Sequence, residues 1–395
     1  MLGNRTARHT MFGLLYFAQG AILSYFTALN ALYLLSYGLT MSQVGIFSAV
    51  ALTPFVLKIF LGMLSDKVNL LGQGHRKPYI IIGLLIQAGC LVVVPFIHPG
   101  DAFGLLTFVA FILMTGMALY DTCTDGLALD TTPPEDEGTV QGIMVGGRAL
   151  GVVVISATLG LLAQLTNWTV AFWSLGAITL LPLVLVVQVR EPARTLERSF
   201  NWGAFRAFGN KRVIALALLG ALYSLIINGA NEIVNPFLED QFEIDYLMAG
   251  LYTAVWGLGV VLGGVTGGRL TDRVGHRRAA MGALVLSLAA ILALALVMHP
   301  AMAWPLVFVF GLAFGYYETV YFATSMDLTD PRIAASMFAI LMAVANIGIG
   351  VGFAVTGSLV DAIGYQWTFV GLALLNLLAL PLIPLIFRGN GNETE

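Results

Sequence analysis

Residues 268–278 read GRLTDRVGHRR, and residues 62–77 read GMLSDKVNLLGQGHRK. Each stretch follows the second long apolar segment of its half of the chain. In both, a glycine stands four residues before an aspartate, and basic residues follow a Gly-His pair. Two copies at equivalent places indicate a chain built from two similar halves. The candidate gating residues of the two loops are Gly62, Asp66, Gly268, Asp272 and Arg273.

The composition predicts a membrane protein. Of the 395 residues, 58% are hydrophobic and only 10% are charged, whereas about 25% are charged in soluble domains. Twelve stretches are long and apolar enough to cross a bilayer, which requires about 20 residues. We therefore expect an all-α membrane protein with 12 transmembrane helices in two six-helix bundles. The predicted spans are residues 11–37, 42–64, 79–97, 103–126, 138–163, 168–188, 213–235, 246–268, 279–298, 302–326, 332–358 and 366–387.

The basic residues give the predicted orientation. Of the 19 Lys and Arg residues, all except Lys58 and Arg148 lie in even-numbered connections or at the termini. The positive-inside rule then places both termini in the cytoplasm. We expect an integral, multi-pass protein of a bacterial inner membrane. The polar stretch 190–212 would be a cytoplasmic linker between an N-terminal bundle, 1–189, and a C-terminal bundle, 213–395.

Several charged residues fall inside the predicted spans of the first half. Lys58 lies about 12 Å, and Arg148 about 15 Å, from the nearer helix end at 1.5 Å per residue. Asp121 and Asp125 are four residues apart, so they share one face of span 4. Two interpretations remain open. Either the cations neutralise the aspartates and hold helices 2, 4 and 5 together, or they bind an anionic solute while a carboxylate takes up a proton.

The second half carries two intramembrane glutamates. Glu318 lies among tyrosines near the middle of span 10, and it is a candidate proton-coupling residue together with Asp121 and Asp125. Glu232 is a further candidate, although it lies nearer the outer end of span 7, where solvation alone would explain it; Pro236 would close this span. The predicted solute-binding residues are Arg148, Lys58, Gln19, Tyr25, Asn228, Asn231, Trp256 and Tyr317.

Other functional classes find no support in the sequence. The five histidines are scattered through terminal and loop regions without metal-ligand spacing, and no Walker-type phosphate loop is present. We therefore predict no metal, no cofactor and no enzymatic activity, and an ion or solute gradient as the driving force. The net charge of -3 excludes the basic surface that nucleic-acid binding needs. The expected partners of this monomer are a small solute, protons and the lipid bilayer.

Both loops resemble the signature G-x-x-x-D-R/K-x-G-R-R/K of the major facilitator superfamily, a fold of two six-helix bundles. Phe55-Val-Leu-Lys58-Ile-Phe and the following Asp66 look like the span 2 region of the AmpG-type muropeptide permeases and the related acetyl-CoA transporters. Tyr120-Asp121-Thr-Cys-Thr-Asp125 and Arg148-Ala-Leu-Gly151 resemble their span 4 and 5 signatures. The PucC-like proteins are a second relative. Gly62 and Tyr120 depart from the proline and glutamine of the family pattern.

The resemblance implies proton-coupled import of a polar, anionic solute of small or medium size by alternating access. It carries Lys58, Asp121, Asp125 and Arg148 over as matched polar positions. Two alternatives remain open at this point. One is a non-transporting assembly or pigment-associated factor of the PucC type, and the other is a lipid flippase or exporter on the same fold.

Overall fold

The computed structural model describes residues 4–72, 74–133, 136–191, 209–328 and 334–387. The described chain is helical, with three short 3₁₀ turns at Leu70–Gly72, Val94–Phe96 and Asn376–Ala379. Most of the predicted linker, 192–208, lies outside the described residues. The α-helices are α1 Arg5–Ala28, α2 Asn30–Ser36, α3 Met41–Val56, α4 Lys58–Lys67, α5 Lys77–Val93, α6 Phe103–Thr131, α7 Glu137–Leu165, α8 Trp168–Leu180, α9 Leu183–Val186, α10 Lys211–Phe242, α11 Tyr246–Val274, α12 His276–Ala295, α13 Pro300–Asp327, α14 Ala334–Ile363, α15 Tyr365–Leu375 and α16 Leu382–Phe387.

Twelve segments of the described chain are long and apolar enough to cross a membrane, which confirms the predicted number of spans. Each predicted span overlaps one of them. They are Arg5–Ala28, Met41–Lys67, Lys77–Phe96, Phe103–Thr131, Gly142–Leu165, Trp168–Val186, Lys211–Phe242, Tyr246–Val274, His276–Ala295, Pro300–Ser325, Met337–Ile363 and Tyr365–Phe387.

Two details of the predicted spans are wrong. The first helix begins at Arg5 rather than at residue 11, because the Asn4 side chain accepts a hydrogen bond from the Ala7 amide and caps it. In the seventh span, Pro236 does not end the helix, since α10 continues to Phe242. A proline removes only the bond to the carbonyl four residues earlier, and a long helix packed on its neighbours tolerates that loss.

The chain divides into two compact units. Unit 1 comprises Met1–Thr40, Val50–Ser199 and Leu238–Ala254, and unit 2 comprises Met41–Ala49, Phe200–Phe237 and Val255–Glu395. Compared with the two halves of the sequence, unit 2 includes Met41–Ala49 from the first half, and unit 1 includes Leu238–Ala254 from the second half. The predicted bundle limits at 189 and 213 stay a prediction.

Helix pairs recur in the two units. In unit 1, α1 packs on α7, α4 on α6, and α5 on both α6 and α8. In unit 2, α12 packs on both α13 and α15 in the same way. Close backbone approach at glycines completes the correspondence. A Cβ at Gly20 would lie 2.1 Å from the Arg148 carbonyl oxygen in the α1–α7 contact, and one at Gly348 would lie 2.2 Å from that of Ala221 in the α10–α14 contact. The helix contacts therefore recur in the two units, as the loop motif recurs in the two halves of the sequence.

A buried carboxylate joins the beginnings of α1 and α7. Asp136 is 3% exposed and accepts hydrogen bonds from Arg5 Nη2 at 2.8 Å, Arg8 Nη2 at 2.5 Å and His9 Nε2 at 2.8 Å. The hydrogen bond from His9, followed by those from Arg8 and Arg5, holds the pKa of the Asp136 carboxyl well below its usual range. These hydrogen bonds to Asp136 explain why the polar residues at the start of the chain are helical.

We expect Asp136→Asn to lower the melting temperature of the purified protein by several degrees, because the buried Arg8 loses the opposite charge that lies 2.5 Å away. Since the folded-state pKa is lowered, the stabilisation is present above the unfolded-state pKa of about 3.9 and is lost as the pH falls below it. Melting curves of the two proteins at about pH 7 and about pH 3 measure this difference.

The matched control is Asp101→Asn, because the Asp101 side chain is 85% exposed and pairs only with the neighbouring His98. An Asp136→Asn protein as stable as this control at neutral pH would contradict the assignment.

Candidate functional site

The charged residues of spans 2 and 4 meet in unit 1. Lys58 Nζ lies 2.5 Å from Asp121 Oδ2 and 3.3 Å from Asp125 Oδ2. The two aspartates are one turn apart on α6, so a single ammonium group reaches both. The structure brings Lys58 together with both aspartates, as one of the two open interpretations expected, and its single positive charge balances one of the two carboxylate charges.

A helix break presents Lys58 to this cluster. The second span is interrupted at Leu57, so that Lys58 is the first residue of α4. Pro54 lies inside α3, three residues before the break. A proline leaves one carbonyl of the preceding turn without its bond and kinks the helix. This kink lies in the turn before Pro54, so it does not account for the break at Leu57, and the span predicted over residues 42–64 contained no break.

Two side chains of α1 extend the cluster. Gln19 Nε2 donates a hydrogen bond to Asp121 Oδ1 at 2.8 Å, and the Tyr16 hydroxyl donates a short one to Asp125 Oδ1. Gln19 was predicted at the site, whereas Tyr16 was missed. The signal for Tyr16 was its spacing, because a residue three positions before Gln19 lies on the same helical face.

The exposure of the charges indicates that the cluster faces water. The side chains of Lys58 and Asp125 are 32% and 40% exposed, whereas that of Asp121 is 6% exposed. A charge that faced lipid at this depth would cost at least 2.5–3.5 kcal/mol. The exposed sides of Lys58 and Asp125 are therefore better accommodated in water than in lipid.

Arg148 does not take part in the ion pairs. It lies on α7 beside Gly20 of α1 and is half-buried. It is close enough to the Tyr16 hydroxyl to interact with it electrostatically. Within the described ranges its guanidinium group has neither a hydrogen bond nor an ion pair. Arg148 therefore forms no contact ion pair with either aspartate among the described residues, and its donors are available to a ligand.

The first copy of the repeated loop forms a compact polar network. Arg76 Nη2 lies 2.6 Å from Asp66 Oδ1, and Arg76 Nε lies 3.4 Å from Asp130 Oδ2. Asp66 is thus paired with a basic residue of its own loop. The Glu191 carboxylate accepts hydrogen bonds from the backbone amides of His75 and Arg76 at 2.8 and 2.9 Å, and from that of Lys77. Glu191 caps the start of α5, and nothing in the sequence pointed to this role.

The second copy of the loop is different. Among the residues that the structure describes, Asp272 and Arg273 form no ion pair. Both side chains are exposed at the end of α11, as are Arg269, Arg277 and Arg278. Gly268 packs with only ordinary van der Waals contact to Thr319. The gating role predicted for this copy stays a prediction.

The predicted solute-binding residues divide between the units. In unit 1, Tyr25 packs edge-on against Phe172, with ring centroids 5.1 Å apart. In unit 2, Tyr317 lies 4.3 Å from the ring of Tyr223, and the amide of Asn228 donates to the Ser224 carbonyl of its own helix at 3.0 Å. Both tyrosines are buried, which favours packing over ligand binding.

Two other predicted solute-binding residues of unit 2, Trp256 and Asn231, carry polar groups that are suited to bind a solute. Trp256 packs edge-on against Phe314, and its buried indole Nε1 has no hydrogen-bond partner among the described residues. Asn231 is half-buried on α10. An indole N–H and an amide are suitable groups for a polar solute.

Glu318 lies on α13 where the sequence placed it, among buried tyrosines. Tyr317 and Tyr321 are 2% and 1% exposed. Glu318 itself is half-buried and interacts electrostatically with Tyr223 of α10. Its predicted environment is therefore confirmed, while its role in proton coupling is untested.

Glu232 is not solvated, although it lies nearer the outer end of its span, and its candidacy as a proton-coupling residue stays a prediction. It is 8% exposed rather than solvated, and its Oε1 accepts a hydrogen bond from Ser48 Oγ of α3 at 2.6 Å. Ser48 was missed because it lies 184 positions away. In the described part of the chain, no group of three or more His, Cys, Asp or Glu residues is arranged to hold a metal ion.

Comparison with known proteins agrees with this architecture. The chain is 23% identical to the anhydromuropeptide permease of Escherichia coli, over 89% of this chain and 74% of that protein. It is 24% identical to a folate-biopterin transporter of Synechocystis, over 95% of this chain and 80% of that protein. The crystal structure of a variant of the nucleoside transporter NupG superposes with a TM-score of 0.82 at 16% identity, covering 96% of this chain and 100% of that chain.

The family model of the Major Facilitator Superfamily matches residues 12–332 and 216–394, and so covers nearly the whole chain. With its twelve membrane-spanning helices and its paired helix contacts, this chain belongs to the Major Facilitator Superfamily and is a multi-pass membrane transporter.

Proposed function

We propose that the protein is a proton-coupled symporter of a polar, anionic solute and that it works by alternating access. The observation that carries this proposal is Arg148, a cation inside the fifth span that has no ion-pair partner among the described residues. The protein would act as a monomer in a bacterial inner membrane, with both termini in the cytoplasm, as the distribution of its basic residues favours.

Arg148 is the proposed anion-binding residue. A guanidinium group offers five donors in a planar fork that matches a carboxylate or phosphate. Lys58 is already engaged by Asp121 and Asp125, so it would bind the solute only by exchanging partners. Two relatives are named for an anhydromuropeptide and for folate and biopterin, and we propose a solute of this polar kind. Within unit 1, a further contact would come from Gln19.

Charge balance supports proton coupling. Lys58 and Arg148 carry two positive charges, and Asp121 and Asp125 carry two negative charges, so the empty site is neutral. An anionic solute adds a negative charge to a site of low dielectric, where an uncompensated charge is unfavourable. Uptake of one proton by an aspartate restores neutrality. Asp121 is the better candidate because it is the more buried of the pair.

Arg148→Gln should weaken solute binding about tenfold to a hundredfold, since a hydrogen bond to a charged group contributes about 1.5–3 kcal/mol. The measurement is a thermal-shift screen of purified protein against anionic sugars, peptides and nucleotides, followed by titration of the compounds that stabilise it. Arg148→Lys should retain part of the affinity because the charge remains.

The control for this substitution is Arg269→Gln, which changes an exposed arginine that likewise lacks an ion pair among the described residues. Equal affinities of the Arg148→Gln and Arg269→Gln proteins for every hit would refute the anion-binding role.

Asp121→Asn should abolish accumulation of the solute driven by an imposed pH gradient, while exchange of labelled for unlabelled solute continues. The asparagine cannot take up a proton, yet it preserves the shape of the side chain, and Lys58 keeps Asp125 as a partner. Both modes are measured in proteoliposomes that contain a hit from the thermal-shift screen, with Asp101→Asn as control. An unchanged accumulation ratio in the Asp121→Asn protein would overturn the assignment.

A further inference from the structure

Glu232 is a buried carboxyl group without a counter-charge. It lies on α10 and is 8% exposed, and Ser48 of α3, itself 4% exposed, donates a hydrogen bond to its Oε1 at 2.6 Å. No cation pairs with it in the part of the chain that the structure describes. An ionised carboxylate buried in this way costs several kcal/mol unless charges or water compensate it. One hydroxyl group does not replace a hydration shell.

The elements around Glu232 supply no hidden compensation. α3 contains no charged or titratable residue. On α14, Asp361 is bound to backbone amides of α3, and on α15, Tyr365 packs against Phe237. On α13, Glu318 interacts with Tyr223, which lies more than two turns before Glu232 on α10. The remaining titratable groups on these faces are Tyr317 and Tyr321 of α13 and the exposed Glu239 at the end of α10.

The first nine residues of α3, Met41–Ala49, pack against other helices of unit 2. Their contacts include the hydrogen bond between Ser48 and Glu232. Asp361 Oδ1 and Oδ2 accept hydrogen bonds from the backbone amides of Met41 and Ser42 at 3.1 and 2.7 Å. Gly45 allows close backbone approach, because a Cβ there would lie 2.2 Å from the Phe353 carbonyl oxygen of α14. The Ser48–Glu232 hydrogen bond is the contact of α3 with α10 in this set.

The segment Met41–Ala49 ends shortly before a proline and a helix break in the same span. Residues Met41–Ala49 belong to unit 2, whereas the chain from Val50 onward belongs to unit 1. Pro54 and the break at Leu57 follow within this second part of the span. A proline kink of this kind lets one part of a helix change its direction while the other part keeps its own.

Polar atoms that water would bind lie close to Glu232. Pro236 has no amide hydrogen, so the Glu232 carbonyl lacks its bond within α10. The buried hydroxyl of Thr356 has no hydrogen-bond partner among the described residues and faces Gly229, one turn before Glu232. If α3 separated from α10, water would reach the Glu232 carbonyl and the Thr356 hydroxyl.

We propose that Glu232 is a proton-binding site that controls the docking of Met41–Ala49. The neutral acid is accommodated beside Ser48, whereas the ionised form requires water and therefore favours the undocked segment. Proton binding and docking favour each other by linkage. This inference rests on the proposed function in assigning the proton as the coupling ion, and it adds the residue and the movement through which the second unit responds.

The protonation is tested by infrared spectroscopy of the protein in lipid nanodiscs, titrated from acidic to alkaline pH. The C=O stretch of a protonated carboxylic acid should be present at low pH and should disappear as the pH rises. One component of this band should be lost from Glu232→Gln, as a difference from the wild-type spectrum at the same pH, and retained in Glu239→Gln, the exposed control on the same helix. Ser48→Ala should shift its frequency. The same band in Glu232→Gln as in the wild type would overturn the proposal.

The docking is tested by hydrogen–deuterium exchange of the peptide that covers residues 41–49. At alkaline pH the wild type should exchange several-fold faster than Glu232→Gln, which stays neutral, and the two should agree at acidic pH. Comparison at equal pH removes the intrinsic pH dependence of exchange. Equal exchange at every pH would refute the control of docking, even if Glu232 titrates.

The two proposals fail in different ways. Solute uptake that ignores the pH gradient, together with a titrating Glu232 and pH-dependent docking, would refute proton symport alone. Gradient-driven uptake in a protein whose Glu232 band is missing would refute the inference alone.

Discussion

Lys58 lies between two carboxylates, and the arrangement of three helices in unit 1 follows from that contact. The ammonium group belongs to α4, both aspartates belong to α6, and α1 supplies the hydrogen bonds that complete the cluster. An unpaired charge at this depth is unfavourable, so these helices are stable only in the register that joins the three groups. The break at Leu57 is the backbone feature that brings Lys58 there.

The unfavourable free energy of an unpaired charge also bears on Arg148 and Glu232. A guanidinium group without a partner and a carboxyl group without a cation are each unfavourable in a resting structure. Arg148 would find its counter-charge in a solute, and Glu232 would lose its charge by binding a proton. The ion pairs of Lys58 therefore fix the register of the helices in unit 1, and we propose that Arg148 and Glu232 respond to what the protein binds.

The sequence predicted the features that depend on composition and local spacing. The twelve spans follow from apolar length, and the shared helix face of Asp121 and Asp125 follows from their spacing of four residues. It did not predict contacts between distant segments. Ser48 and Glu232 are 184 positions apart, and the depth of a residue along a span does not tell which neighbour covers it. Pro236 was misread because a proline signals the loss of one hydrogen bond rather than the end of a helix.

The two units repeat their helix contacts but not their electrostatics. In unit 1 the intramembrane carboxylates Asp121 and Asp125 share a lysine, whereas in unit 2 Glu232 has a serine instead. The repeated loops differ in the same sense, since Asp66 is paired with Arg76 and Asp272 has no ion-pair partner among the described residues. The repeated scaffold thus holds Asp121, Asp125 and Asp66 of unit 1 by ion pairs, and we propose that unit 2 responds to protonation through Glu232. Coupling between solute and proton needs such a difference, because two identical units would respond to a proton in the same way.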